Sequence, residues 1–200
     1  MRTTRHLLAT LLALISLSAT AAVEVGQAAP NFTLTDLNGK SRSLSDFKGK
    51  TVVLEWFNPD CAFIQKHYLS GNMQKLQRAA TSDDAVWLQI NSAAPGNEGD
   101  YTPVAVAKWL KEKDAAATAY LRDQNGDVGH LYDARTTPHM FIINAAGTLV
   151  YQGAIDSIRS TKMSDAAKAT NYVSAALADI KAGRPVATNA TQPYGCSVKY

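Results

Sequence analysis

Cysteine is scarce in this 200-residue chain: Cys61 and Cys196 are the only two. That excludes a disulfide-dense scaffold and the paired Cys-x-x-Cys ligands of a structural zinc site. His67, His130 and His139 stand at no ligand spacing from the cysteines or from one another, so neither a metal nor a cofactor is expected. Charge is also sparse, at 18% of residues, with 20 basic against 17 acidic. No basic run or basic–aromatic patch stands out, so nucleic-acid binding is not expected. No apolar run reaches the roughly 20 residues that span a bilayer. Internal repeats and low-complexity tracts are absent too.

The N-terminus carries a leader pattern. Arg2 and Arg5 precede an apolar run from Leu7 to Leu17, and Ala19-Thr20-Ala21 supplies a small-x-small cleavage site. Residues 1–21 therefore read as a signal peptide. The mature protein is expected to be exported without a stable membrane anchor, and periplasmic in a Gram-negative source. Without Arg2 and Arg5 the 20 basic residues become 18, against 17 acidic, so the mature chain is near neutral. The remaining length of about 180 residues suits one core. Residues 22–185 read as a single domain, and 186–200 as a C-terminal tail carrying Cys196.

Cys61 is the most informative residue. Thr51-Val52-Val53-Leu54-Glu55-Trp56-Phe57 reads as a buried strand, Asn58-Pro59-Asp60 breaks it, and Ala62-Phe63-Ile64-Gln65-Lys66 opens a helix. A thiol at a helix N-terminus faces unpaired N–H groups and the positive end of the helix dipole. Both favour the thiolate, the form that attacks disulfides and peroxides. A buried structural cysteine is the plainer alternative. In an oxidising compartment two cysteines allow one intrachain bridge, fixed or made and broken in a cycle. Both readings stay open. From Gly183, the thirteen residues to Cys196 can extend about 40 Å at about 3.3 Å each, enough to cross a domain of this size.

Along the rest of the chain, Pro30–Leu34 alternates as a short strand and Asp36–Lys40 reads as a hairpin turn. The helix after Cys61 is expected to reach Leu69, break at Ser70-Gly71-Asn72 and resume from Met73 to Ala80. Ala85–Ile90 is a second central strand. Asn91–Pro103 is a Gly/Pro/Asn-rich loop long enough to suggest a role over the site. A helix over Val104–Lys113, a short strand at Ala119–Arg122 and a short helix at Val128–Tyr132 follow. Pro138–Ile143 and Thr148–Gly153 form a strand pair about Gly147, and a last helix is expected over Ser164–Lys181. This order implies an α/β fold with a central mixed sheet flanked by helices.

Three segments carry a resemblance. Gly26-Gln27-Ala28-Ala29-Pro30-Asn31-Phe32 matches G-x-x-A-P-x-F, Val52 through Cys61 resembles a strand and turn that carry an attacking cysteine, and Thr136 to Asn144 resembles a segment holding a cis-proline. Together they resemble the thioredoxin-like three-layer fold, and within it the peroxiredoxin-like redoxins related to alkyl hydroperoxide reductases and TlpA-like proteins. The likeness spans nearly the whole mature chain. It is closest to a branch pairing one cysteine at this turn with a T-P-H-x-F segment, here Thr137–Phe141, and a cysteine near the C-terminus, here Cys196. The resemblance implies a thiol-dependent oxidoreductase acting on a thiol or disulfide protein or on a hydroperoxide, with the reducing partner unspecified. It assigns Cys61 as attacking thiol, Cys196 as resolving thiol and Pro138 as cis-proline, with the Thr137 backbone open to an extended substrate.

The chain also departs from the family pattern. Ile64 stands where a C-x-x-C protein has its second cysteine. A typical peroxiredoxin motif would need proline at Leu54 and threonine at Asn58, and its arginine position falls on Pro138. Arg135 is a distant substitute. His139 is a candidate proton acceptor for the thiol unless strand alternation turns it away. Lys66 reads as a solvated lysine, and His67 as a surface or packing residue. A second class of function is a thiol-bearing or copper-handling module, which needs Cys61, Cys196 and His139 to converge.

Overall fold

The structure is a computed structural model and describes residues 23–200; the expected signal segment lies outside them. Among the described residues nine strands form: β1 (Thr33–Asp36), β2 (Ser41–Ser43), β3 (Val52–Trp56), β4 (Val86–Asn91), β5 (Ala119–Arg122), β6 (Thr136–Thr137), β7 (His139–Ile143), β8 (Leu149–Gly153) and β9 (Cys196–Ser197). The helices are α1 (Ala62–Leu69), α2 (Asn72–Ser82), α3 (Pro103–Glu112), α4 (Asp127–Leu131) and α5 (Tyr172–Lys181). Seven strands make one mixed sheet in the order β2-β1-β5-β4-β3-β7-β8, while β6 and β9 pair separately. At the centre β3 runs parallel to β4 and antiparallel to β7, with Trp56 opposite His139.

Alternation along β3 sorts the core into two layers. Val52, Leu54 and Trp56 join Phe141, Ile143 and Tyr132 on one face, with α4 above them. Val53 and Phe57 share the other face with Cys61, Met140 and Ile142, under α1, α2, α3 and α5. Phe57 sits at the hub of that second layer, edge-on to Tyr68 at 5.9 Å, Trp109 at 5.2 Å and Tyr120 at 5.8 Å. Each such pair contributes about 0.5–1.5 kcal/mol beyond its buried area. The cluster clamps α1 and α3 onto the strand end that leads to Cys61.

The expected last helix starts late. Residues 163–165 form only a 3-10 turn, and α5 begins where the Asn171 side chain accepts from the Ser174 N–H at 2.9 Å. Helix-favouring alanines upstream lose to this N-cap. The expected break between α1 and α2 is real: Gly71 adopts φ 74°, and Gly71 and Asn72 start a new helix rather than continue the old one. Strands β2, β6 and β9 have only two or three residues each, too short for a periodic signal.

Candidate active site

Local chemistry sets the Cys61 turn. The Asn58 carboxamide oxygen accepts the Asp60 N–H at 2.9 Å, the Asn58 carbonyl accepts the Cys61 N–H at 3.2 Å, and Pro59 cannot continue β3. Cys61 is thereby left as the N-cap of α1, with φ −70°, ψ 122° and no side-chain cap bond. Its side chain is fully buried.

Opposite stands the Thr137–Pro138 peptide, which is cis. Cys61 Sγ lies 2.9 Å from the Thr137 carbonyl oxygen. That sulfur has no proton to donate in the oxidised state, because Cys61 and Cys196 form a disulfide with Cα atoms 5.8 Å apart. β9 brings Cys196 there by pairing antiparallel with β6, Cys196 opposite Thr137 and Ser197 opposite Thr136. Gly195 makes the approach possible: its φ is +153°, and a Cβ there would collide with the Thr137 carbonyl.

The C-terminal segment is docked along its length. Gln152 N–H donates to the Asn189 carbonyl and Thr191 N–H to the Gln152 carbonyl, each at 3.1 Å. Val198 N–H donates to the Arg135 carbonyl at 3.2 Å. Tyr200 stacks on His130 at 4.0 Å, and its hydroxyl donates to the Ala134 carbonyl at 2.7 Å. The long loop after β4 joins this segment to the Cys61 turn. Its Ala94 N–H donates to the Lys199 carbonyl at 2.8 Å, and its Tyr101 hydroxyl to Asp60 at 2.6 Å.

The chain has relatives among known proteins. The sequence pattern of the AhpC/TSA family matches residues 25–152, well over half of the chain. The chain belongs to the AhpC/TSA family. It is 28% identical over 132 residues to the thiol-disulfide oxidoreductase ResA of Bacillus thuringiensis, covering 65% of this chain and 69% of that one. A hypothetical protein of Sinorhizobium meliloti superposes with a TM-score of 0.75 at 22% identity, over 90% of this chain and 96% of its own. The thioredoxin domain of a thiol-disulfide oxidoreductase from Bacteroides vulgatus superposes with a TM-score of 0.53 at 21% identity, over 74% and 97% respectively. The fold is thioredoxin-like. Family membership and the paired cysteines together make this AhpC/TSA protein a thiol-dependent oxidoreductase.

The remaining sequence-predicted residues fall less neatly. His139 lies on the sheet face opposite Cys61, packed 4.3 Å from Phe141, with its Nδ1 accepting the Arg135 N–H at 3.3 Å. Burial pushes its imidazole down to about 4. Strand alternation has turned it away, so it cannot take the Cys61 proton directly, and the two cysteines and His139 do not converge as a copper-handling site requires. The Arg135 guanidinium is exposed and held by Asp133 at 2.5 Å. Asn58 spends its amide on Glu98 at 3.2 Å.

Two features escaped the sequence reading, and a third, His67, proves to be the packing residue of its two readings. Glu55 is fully buried beneath α1, accepting from Trp87 Nε1 at 2.7 Å, Tyr68 OH at 3.0 Å and Gln77 Nε2 at 3.2 Å. Burial outweighs these donors and raises its carboxyl to about 7. A lone acid inside the apolar run Val52–Phe57 was the available signal. Lys66 is buried, not solvated: its Nζ lies 3.3 Å from Asp156 Oδ2 and donates to the Ile158 carbonyl at 3.2 Å. Next to it His67 is also fully buried, its Nδ1 accepting from Asn72 at 2.9 Å and its Nε2 3.8 Å from Asp156. Burial pushes this imidazole down to about 4, Asp156 opposing and Lys66 adding, so the ring is neutral at neutral pH.

Proposed function

We propose that this protein is an exported thiol–disulfide oxidoreductase whose working pair is Cys61 and Cys196. The observation that carries the reading is the juxtaposition of a helix-capping cysteine, a second cysteine and the Thr137–Pro138 segment. In the oxidising direction a substrate thiolate attacks Cys196 Sγ, the reverse of the order the family resemblance implies, because Cys61 is fully buried and Cys196 only partly so. The Cys61–Cys196 bond breaks and Cys61 leaves as a thiolate, stabilised by the α1 N-terminus, before taking a proton. That S–H then points at the Thr137 carbonyl 2.9 Å away. A second substrate thiolate attacks the substrate sulfur of the mixed disulfide and expels Cys196. Two electrons and two protons have then passed to the protein, and the substrate leaves as a disulfide.

Hydroperoxide reduction is the second reading, and family membership favours it. The site opposes it: asparagine replaces the hydroxyl of the peroxiredoxin threonine, and proline stands at the arginine position. The test is the redox state of both cysteines in the reduced protein after one equivalent of oxidised glutathione or of hydrogen peroxide. The bridge, a loss of two mass units, is expected to re-form faster with glutathione disulfide. A faster response to peroxide would overturn the preference. Export rests on the leader pattern of residues 1–21, and N-terminal sequencing of the secreted product at Ala22 or Val23 checks it.

A further inference from the structure

We propose that Lys66, Asp156 and Tyr194 are positioning residues for the redox step, a buried latch that holds Cys196 against Cys61 whether or not the sulfurs are joined. This rests on Cys61 and Cys196 being the working pair. The path is continuous. Lys66 lies on α1, five residues beyond the cysteine that caps it, and contacts Asp156 Oδ2 at 3.3 Å. Oδ1 of the same carboxylate accepts the Tyr194 hydroxyl and the Ile158 N–H, the latter at 3.0 Å. Tyr194 stands two residues before Cys196, with Gly195 between them.

Each contact is in the right place to fix geometry. The Lys66 and Asp156 side chains are 0% and 1% exposed, so the pair is shielded from solvent. Desolvating both charges offsets most of their attraction, and a buried ion pair is therefore weak evidence for added stability. Its effect here is directional. The carboxylate has one position in which it meets the ammonium, a backbone N–H and the phenol together. The Tyr194 ring is held as well, edge-on to Phe63 at 5.6 Å and with Lys66 Nζ 5.8 Å from its centre. Phe63 is itself in the first turn of α1, so both ends of Tyr194 are tied to the helix that presents Cys61. A cysteine held this way meets Cys61 at a far higher effective concentration than one on a free tail.

Tyr194→Phe tests the latch because it keeps the ring and removes only the hydroxyl. In glutathione redox buffers, the equilibrium constant for forming the Cys61–Cys196 bond is expected to fall at least tenfold, about 30 mV for a two-electron couple. In a Cys196→Ser background, the Val198 amide should stay protected from hydrogen exchange, and adding Tyr194→Phe should lower that protection tenfold or more. Lys66→Met should shift both readouts the same way; the phenylalanine variant keeps the test intact if this one does not fold. An equilibrium constant and a Val198 protection both unchanged within twofold in Tyr194→Phe would overturn the latch. A wild-type bridge inert to glutathione would overturn the functional reading instead, and Val198 exchange alone would then decide the latch.

Discussion

Cys196 pairs in antiparallel register with Thr137, the residue before the cis-proline. The cysteine that closes the disulfide is thus carried by a strand lying on the edge where the Thr137 backbone could receive an extended chain. Cys61 reaches the same residue, its sulfur 2.9 Å from the Thr137 carbonyl. The site is built around one backbone segment, and both cysteines meet at Thr137.

Exposure differs between the two sulfurs' residues, and this sets where an incoming thiol attacks. Cys61 is 0% exposed, while Cys196 is only partly buried. Attack is therefore expected at Cys196, with Cys61 as the leaving thiolate. Trapping a small-thiol mixed disulfide from the oxidised protein and mapping it by peptide mass spectrometry checks this. Adducts found mainly on Cys61 would contradict it.

Gly195→Ala should disrupt the bridge without touching either cysteine. An added Cβ would run into Thr137 backbone atoms, and φ +153° is strained for alanine in any case. The fraction of bridged protein at a fixed glutathione ratio is expected to fall at least tenfold. Retention of the wild-type fraction would mean that β9 can dock in another register.

Stability should peak near pH 6.5, with different residues shaping its two limbs. Glu55 is raised from 4.5 to about 7, so its contribution is full below 4.5 and is lost as pH rises through about 7. His67 and His139 are each lowered from 6.5 to about 4, so their contributions are full above 6.5 and are lost as pH falls through about 4. Each shift is worth about 3 kcal/mol. Between 4.5 and 6.5 two histidines oppose one glutamate, and stability rises with pH. Urea denaturation from pH 4 to 9 checks this, and Glu55→Gln should remove the fall between pH 6.5 and about 7 and steepen the rise between 4.5 and 6.5.

Much of the architecture was legible along the chain. The apolar run Val52–Phe57, the Asn58-Pro59-Asp60 break and the apolar segment Met140–Ile143 mark the central strands and the helix start, because strand burial and turn chemistry are local properties. Alternation also held the correct answer for His139: it shares a face with Phe141 and Ile143, not with Met140 and Cys61.

What the sequence determined by itself was therefore the α/β framework, the place of Cys61 at the head of a helix, and the count of cysteines that limits the chain to one internal bridge. Tertiary structure alone decided that Cys61 and Cys196 are brought together and bonded, that residues 186–200 lie docked, and that Lys66 is buried. The physical reason is the same for all three. Lysine is polar wherever it occurs, and its burial here is tolerable because Asp156 and the Ile158 carbonyl, 90 and 92 residues away along the chain, meet its ammonium. Likewise β9 has no side-chain period to read in two residues, and exists because Gly195 lets its backbone meet Thr137.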